Sequence, residues 1–539
     1  MTRKKVLFHG EAREKVLRGV IQLADAVRIT LGPKSKSVLM QRRWGAPLVC
    51  NDGVTIAKEF ELPDPEENLG AQTLRQAAEK TGTAVGDGTS TSTVLAAAIY
   101  AEGVRNVTAG ASAIDLKRGL DRGLGAAVAA LRTQSRTVTT RREKAQVATL
   151  SAHNDPVIGE LVAEAMERVG RDGAITVDES KTTETRLEVV DGLQFDRGYT
   201  SPYFVTDPAR MQAVLDDALI LLTDRRLKSV PELLPLLEQL AKAGRPLLIV
   251  ADDLEGDALA TLVVNQVRGI LKNAAVKAPG FGERRRALLE DLAILTGSEV
   301  ITAELGHKLE DVALDHLGRA QRVVIDKDST TIIGGRGRRE AIDARIAQLR
   351  LEMERAGSDY DRERLQERLA KLSGGVAVIH VGAHSEAELK ARKDALDDAI
   401  HATKAAVTEG IVAGGGLALI RCAPAVRQLE ESSTGDERTG LACLRRALEA
   451  PARQIAENSA TDGGVVVARL AEGTGDIGFD AARHEYVDLF AAGIVDPTKV
   501  VRTSLENAVS VAGTLLLTEA TMTELPEPRE PVATSSPEL

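Results

Sequence analysis

Between about residues 190 and 375 the chain changes its rhythm, and that change limits the folds open to it. Pro246 to Val250 is a continuous apolar run of strand length. A helical pattern follows at 256–271, a strand at 274–278, a helix at 286–297, and Val300-Ile301 opens another strand. Such alternation predicts an α/β unit. On either side helical spacing prevails. Residues 12–29 put Val16, Val20, Leu23 and Val27 on one face, with Leu17, Ile21 and Ala24 beside them. That helix must stop at Leu31-Gly32-Pro33, where glycine permits the turn and proline cannot continue the ladder. Residues 47–57, PLVCNDGVTIA, predict two short strands around an Asn51-Asp52-Gly53 turn. At 338–372 two apolar stripes, Ile342/Ile346/Leu349/Met353 and Leu365/Leu369/Leu372, predict a pair of antiparallel helices with charged outer faces. A short strand at 376–381, a charged helix at 385–409 and further helices to about 520 complete the pattern. The last stretch, 524–539, is rich in Pro, Glu and Ser, and disorder is expected there.

At 539 residues the chain has room for three or four domains of roughly 150 residues each. Aromatic residues make up only 2%, so the cores must be aliphatic, and stacking platforms for single-stranded nucleic acid are scarce. A formal charge of −10 also argues against a nucleic-acid backbone as the main partner. The basic clusters Arg284-Arg285-Arg286 and Arg336 to Arg339 read as solvated surface. Cys50, Cys422 and Cys443 are odd in number and far apart, which fits a reducing compartment and small buried thiols. The first residues carry no apolar leader, and no apolar run is long enough to span a bilayer. A soluble, cytoplasmic protein is the expectation. His380 and His384, in HVGAH, have no acid or cysteine cluster to make a metal site and read as surface.

Chemistry concentrates at GDGTSTSTVL (86–95), where one acid stands between two glycines and five hydroxyl residues lead into an apolar helix. One reading is an N-capping cluster and nothing more. The other is a phosphate site, because helix-start N–H groups and the helix dipole attract anions. Asp87 then requires a cation, and Mg²⁺ takes one or two carboxylates together with phosphate oxygens and water. No Walker A loop is present. Three stretches add weight to the second reading. Thr30 to Lys34 is a tight turn with room for phosphate, Asn51-Asp52-Gly53 brings a second acid, and Gly414-Gly415-Gly416 lies between apolar residues as if for close approach to a ligand.

Taken together, LADAVRITLGPK (23–34), GDGTSTSTVLA (86–96), LQFDRGYTSPYF (193–204), KAPGFGERR (277–285), HATKAAVTEGIVAGGG (401–416) and VDPTKV (495–500) closely resemble the GroEL-type group I chaperonins of bacteria. The resemblance covers about residues 5–525. It implies a multidomain fold: an α-helical equatorial ATP-binding domain from both chain ends (1–134 and 410–523), a small α/β intermediate domain (135–190 and 376–409) and an α/β apical domain (191–375). It further implies a heptameric ring stacked as a tetradecamer, a GroES-type lid co-chaperonin and non-native polypeptides as clients.

By the same resemblance Thr30, Leu31, Gly32 and Pro33 wrap the phosphates of ATP, Asp87 holds Mg²⁺, and Gly88, Thr89, Ser90 and Thr91 bind the phosphate tail. Gly415 and Asp496 approach the ribose, and Asp480, Ala481 and Ala482 flank the adenine. Asp398 orients the attacking water, with Asp52 as a second candidate near it. Tyr199, Tyr203, Phe204, Leu234, Leu237, Leu259, Val263 and Val264 are the implied polypeptide-binding positions. Leu262, Val263 and Val264 are consecutive on one helix, so apolar surface spreads beyond a single stripe: either one face packs on the sheet and another stays exposed as an interaction site, or the helix is buried on both sides. Gly192 and Gly375 match the hinges, and Asp155, Arg197 and Glu386 match switching inter-subunit ion pairs. The chain departs from the family at Asn51, usually lysine, and at Asp480, usually asparagine. A backbone contact to K⁺ at Asn51 would survive the change. The loop 431–438 carries an insertion near the ring-to-ring pair Arg453 and Asp462, and an acidic tail replaces the usual Gly-Gly-Met repeats.

Three functions compete at this stage. The first is an ATP-driven folding chamber. A small-molecule kinase would need a second polar pocket with a base, which the sequence does not offer. A ring that holds clients but hydrolyses ATP weakly would account for Asn51 and the unusual tail.

Overall fold

A computed structural model describes residues 4–524 except 42–46, 153, 171, 172, 181, 209, 303, 305, 306 and 357. It is mostly helical, with mixed sheets, and divides into two compact units. One unit combines residues 1–163 with 394–539; the other is 164–393. The divisions fall inside the helices Pro156–Val169 and Glu386–Glu409.

The first unit draws one core from both ends of the chain. Helices His9–Arg28, Pro65–Val85, Thr89–Thr108 and Ala113–Gln134 bury Leu23, Leu74, Leu95 and Leu120 against Leu441, Leu444 and Leu505 of Gly435–Ala447 and Thr498–Leu516. The ends are also paired as strands: Lys4–Phe8 runs antiparallel to Ala520–Glu524. The expected disordered stretch therefore begins with an ordered residue, Glu524, which pairs with Lys4; 525–539 lie outside the described residues. Cys422 and Cys443 are buried, and burial pushes their thiols up to about 12 and about 11.

One expected element in this unit is wrong. Leu48–Cys50 is a strand and pairs with Val38–Met40, but the second predicted strand is the helix Gly53–Glu59. Asp52 decides it. Its carboxylate accepts from Val54 N at 3.2 Å and Thr55 N at 3.0 Å, so the acid starts a helix instead of turning a hairpin.

The second unit is built on a seven-stranded sheet. In spatial order the strands are Asn273–Lys277, Leu247–Ala251, Ala213–Thr223, Gly318–Ile325, Thr330–Gly335 and Gly192–Phe195, with Val300–Ile301 also beside Ala213–Thr223. The first two neighbouring pairs are parallel and the next three antiparallel. Leu247 to Ala251 are all buried, as a continuous apolar run requires of an inner strand. The two striped helices form at Arg339–Arg355 and Asp359–Gly374, and Ile342, Ile346, Leu349 and Leu372 are buried. Asp291 ties them to Gly282–Thr296 by accepting from Arg345 and Arg368 at 2.8 Å each. A three-stranded sheet places Val376–Val381 between Ala174–Glu179 and Arg186–Val190. His380 is not on open surface as the sequence suggested. It lines a cavity of about 150 Å³ with Asp178, Glu188 and Arg322, and its Nε2 lies 3.0 Å from Glu188.

Candidate functional site

The helix Thr89–Thr108 begins at Gly88 without any side-chain cap, and no acid occupies its first turn. The capping reading of GDGTSTSTVL thus fails, and the first N–H groups keep their capacity for a ligand. The chain reaches this point through two left-handed residues, Gly86 at φ +72° and Gly88 at φ +78°. Any side chain would be strained there, and a Cβ on Gly88 would stand 2.5 Å from Ser504 Oγ. Ser504 Oγ donates to Gly88 O at 3.1 Å, which pins the turn to the C-terminal helix.

Asp87 lies inside this turn. Its Oδ2 accepts from Ser151 Oγ at 3.0 Å and its Oδ1 from Gly88 N at 2.5 Å. Ser90 Oγ meets Thr30 Oγ1 at 2.9 Å, which joins the GDGTS turn to Thr30-Leu31-Gly32-Pro33. Asn458 holds that second turn from behind, its Nδ2 donating to Arg28 O and Leu31 O at 2.8 Å each. Gly53 is packed so closely that a Cβ would lie 2.3 Å from Ser90 Oγ, so Asp52 starts its helix beside the same hydroxyls. Asn51 is exposed.

Asp398, on the helix Glu386–Glu409, is only partly exposed. Burial raises its pKa well above the ordinary carboxylate value, and the strongest charge effects on it come from Asp87, Asp52, Asp397 and Asp394. Asp496 pairs with Val412 in the two-stranded sheet of Ile411–Ala413 and Val495–Pro497. Burial, and then the charge of Asp87, push its carboxyl up to about 7. Gly414 lies against it, since a Cβ there would be 3.3 Å from Asp496 Oδ1, and Gly415 faces Phe479 O. Gly416 opens the helix Leu417–Ser432, again with no side-chain cap. Asp480 spends its Oδ1 on Ala482 N at 2.9 Å and Arg483 N at 3.2 Å, which shapes its own turn; Ala481 is buried and Ala482 exposed.

The structure therefore gathers Asp52, Asp87, Asp398 and Asp496 around glycine turns and uncapped N–H groups. Beyond burial, the charges of Asp87 and Asp52 raise the pKa of Asp398, and the charge of Asp87 raises that of Asp496. Among the described residues no three His, Cys, Asp or Glu side chains gather to hold a metal alone. Asp87, inside the glycine turn, is the residue that could hold Mg²⁺ together with phosphate oxygens and water. Sequence reasoning missed Ser151, Asn458 and Ser504. They come from distant helices and carry ordinary residue types, so no local pattern marks them.

The expected polypeptide-binding positions do not share one environment. Tyr203, Leu234 and Val264 are exposed, while Tyr199, Leu259 and Val263 are half-buried and pack on the core. Phe204 and Leu237 are buried. Phe204 is fully buried behind the turn Pro202–Phe204, and Leu237 points inward from helix Leu234–Ala243 with Leu236 and Leu240. Neither offers surface. Val267, Ile270 and Phe281, not singled out from sequence, are exposed. Of the expected ion-pair residues, Asp155 accepts from Val157 N at 2.9 Å and starts helix Pro156–Val169, and the Arg197 guanidinium lies 5.6 Å from the Phe281 ring centre.

The TCP-1/cpn60 chaperonin family model matches residues 23–526. The chain is 69% identical over 529 residues to Chaperonin GroEL 5 of Bradyrhizobium diazoefficiens, covering 98% of each. No helix among the described residues is long and apolar enough to cross a membrane. The chain belongs to the TCP-1/cpn60 chaperonin family and is a GroEL-type chaperonin.

Proposed function

We propose that this chaperonin captures non-native polypeptides on an apolar rim, hydrolyses ATP at the Asp87 site, and folds its clients in a cytoplasmic ring closed by a GroES-type lid. The ring is a homo-oligomer, a heptamer stacked as a tetradecamer. In this reading residues 1–134 and 410–523 form the equatorial domain, 135–190 and 376–409 the intermediate domain, and 191–375 the apical domain. The observation that carries the catalytic part is Asp398, a partly buried acid whose charge is felt against Asp87 and Asp52.

The N–H groups of Thr89, Ser90 and Thr91 and the turn Thr30–Pro33 receive the phosphates. Gly415 and Asp496 receive the ribose, and Asp480 to Ala482 the base side. Mg²⁺ on Asp87 supplies neutralisation of phosphate charge when bound. Asp398, with Asp52 beside it, orients a water through its carboxylate oxygens. Positioning and charge neutralisation supply most of the rate in such transfers. Exposed Tyr203, Leu234 and Val264 support client capture, since apolar patches of this kind mark interaction sites.

The test is ATP turnover in the intact protein and in Asp398→Ala, with particle size measured with and without Mg·ATP. Turnover should fall roughly 10²- to 10⁴-fold in the variant while nucleotide still binds. Equal turnover in both would assign the chain to holding alone. A stable monomer under both conditions would end the chamber reading.

A further inference from the structure

His484 belongs to none of the motifs that resemble the ATP site, yet both sides of that site converge on it. It lies on the turn between strands Ile477–Asp480 and Glu485–Asp488, two residues past Ala482. Its backbone stands at φ +59°, which few residues other than glycine adopt. Lys34 Nζ donates to its Nε2 at 2.5 Å, and its Nδ1 lies 3.0 Å from Thr461 Oγ1. Its ring meets Phe479 edge-on, with centroids 6.3 Å apart. Lys34 directly follows Pro33 of the phosphate turn. Thr461 follows the helix Ala450–Asn458, whose Asn458 holds that turn from behind.

An ammonium can only donate, so Nε2 accepts from Lys34, and the other ring nitrogen, Nδ1, faces Thr461 Oγ1. Asp480 is already committed to the N–H groups of Ala482 and Arg483.

We propose that His484 is a positioning residue for the nucleotide. Its ring clamps the phosphate turn, through Lys34, to the hairpin on the base side. This inference rests on the ATP reading of the site. The groups are exposed, so the effect is modest: one hydrogen bond of this kind corresponds to a roughly three- to tenfold change in affinity.

The experiment measures Mg·ATP affinity by displacement of a fluorescent nucleotide, and KM and kcat for turnover, at pH 8 on the full-length protein. His484→Phe keeps the ring on Phe479 but offers no acceptor. It should bind Mg·ATP three- to tenfold more weakly than wild type, raise KM to match, and leave kcat within about twofold. His484→Gln can accept from Lys34 and should bind within about twofold of wild type. The proposal is overturned if His484→Phe binds like wild type, or if His484→Gln binds as weakly as His484→Phe. Wild-type protein that binds no Mg·ATP would remove the nucleotide site itself, and the clamp with it.

Discussion

Burial and the charge of Asp87 disfavour the ionised form of Asp496, and stability should record it. Its folded pKa of about 7 lies above the ordinary 3.8, so between those values the native state holds a proton the unfolded chain has lost. Stability therefore declines as pH rises from about 4 to about 7 through this group. Asp398, raised in the same direction, adds to the slope. Asp496→Asn removes one contribution. Its melting temperature should exceed that of wild type at pH 8, and the two should converge toward pH 4.5. A variant that melts below wild type at pH 8 would show that the carboxylate is not strained there. From sequence alone neither acid could be ranked. Asp397 and Asp398 are adjacent on one helix, about 100° apart around its axis, and only packing decides which one meets Asp87. The implied polypeptide-binding positions teach the same lesson. Tyr203 and Phe204 are neighbours in an apolar stretch, yet one is 69% exposed and the other 0%.

At the scale of elements, most of the chain could be read because its periods are clean. The alternating block became the seven-stranded sheet and its helices, and the striped pair at 338–372 became two helices. The stretch PLVCNDGVTIA could not, because Asn-Asp-Gly is both a hairpin turn and a helix start. The choice depends on whether Asp52 bonds the N–H groups beyond it, which periodicity over so few residues does not reveal. Asp52 caps its helix, and the proposed function gives it a second job that substitution can separate. Asp52→Ala loses the cap, at about 1 kcal/mol, and the carboxylate near Asp398. Asn caps as well as Asp, so Asp52→Asn should restore the melting temperature while ATP turnover stays depressed. If turnover returned along with stability, Asp52 would act only by starting its helix.

For the molecule as a whole, the feature least legible in the sequence is that its two ends share a core. No local pattern links residue 5 to residue 523, and only the family resemblance implied it. The junction has a specific fastening. Glu66, 2% exposed at the start of helix Pro65–Val85, accepts from Lys5 Nζ at 2.9 Å and Thr523 Oγ1 at 3.1 Å. It thus holds the first strand and the last strand to one helix. Lys5 is partly solvated, so the ion pair itself contributes little. The larger loss in Glu66→Ala is the buried Thr523 hydroxyl left without its partner, about 1–3 kcal/mol. That cost should fall on the paired ends before it reaches the core around Leu95 and Leu505. In hydrogen exchange, amides from Thr521 to Glu524 and from Lys5 to Phe8 should lose protection together in Glu66→Ala, with those of helix Thr89–Thr108 unchanged. Glu66→Gln, which can still accept from Thr523, should retain most of that protection. If the strands kept their protection in Glu66→Ala, their pairing would be held by the antiparallel ladder alone, and Glu66 would serve only the helix it starts.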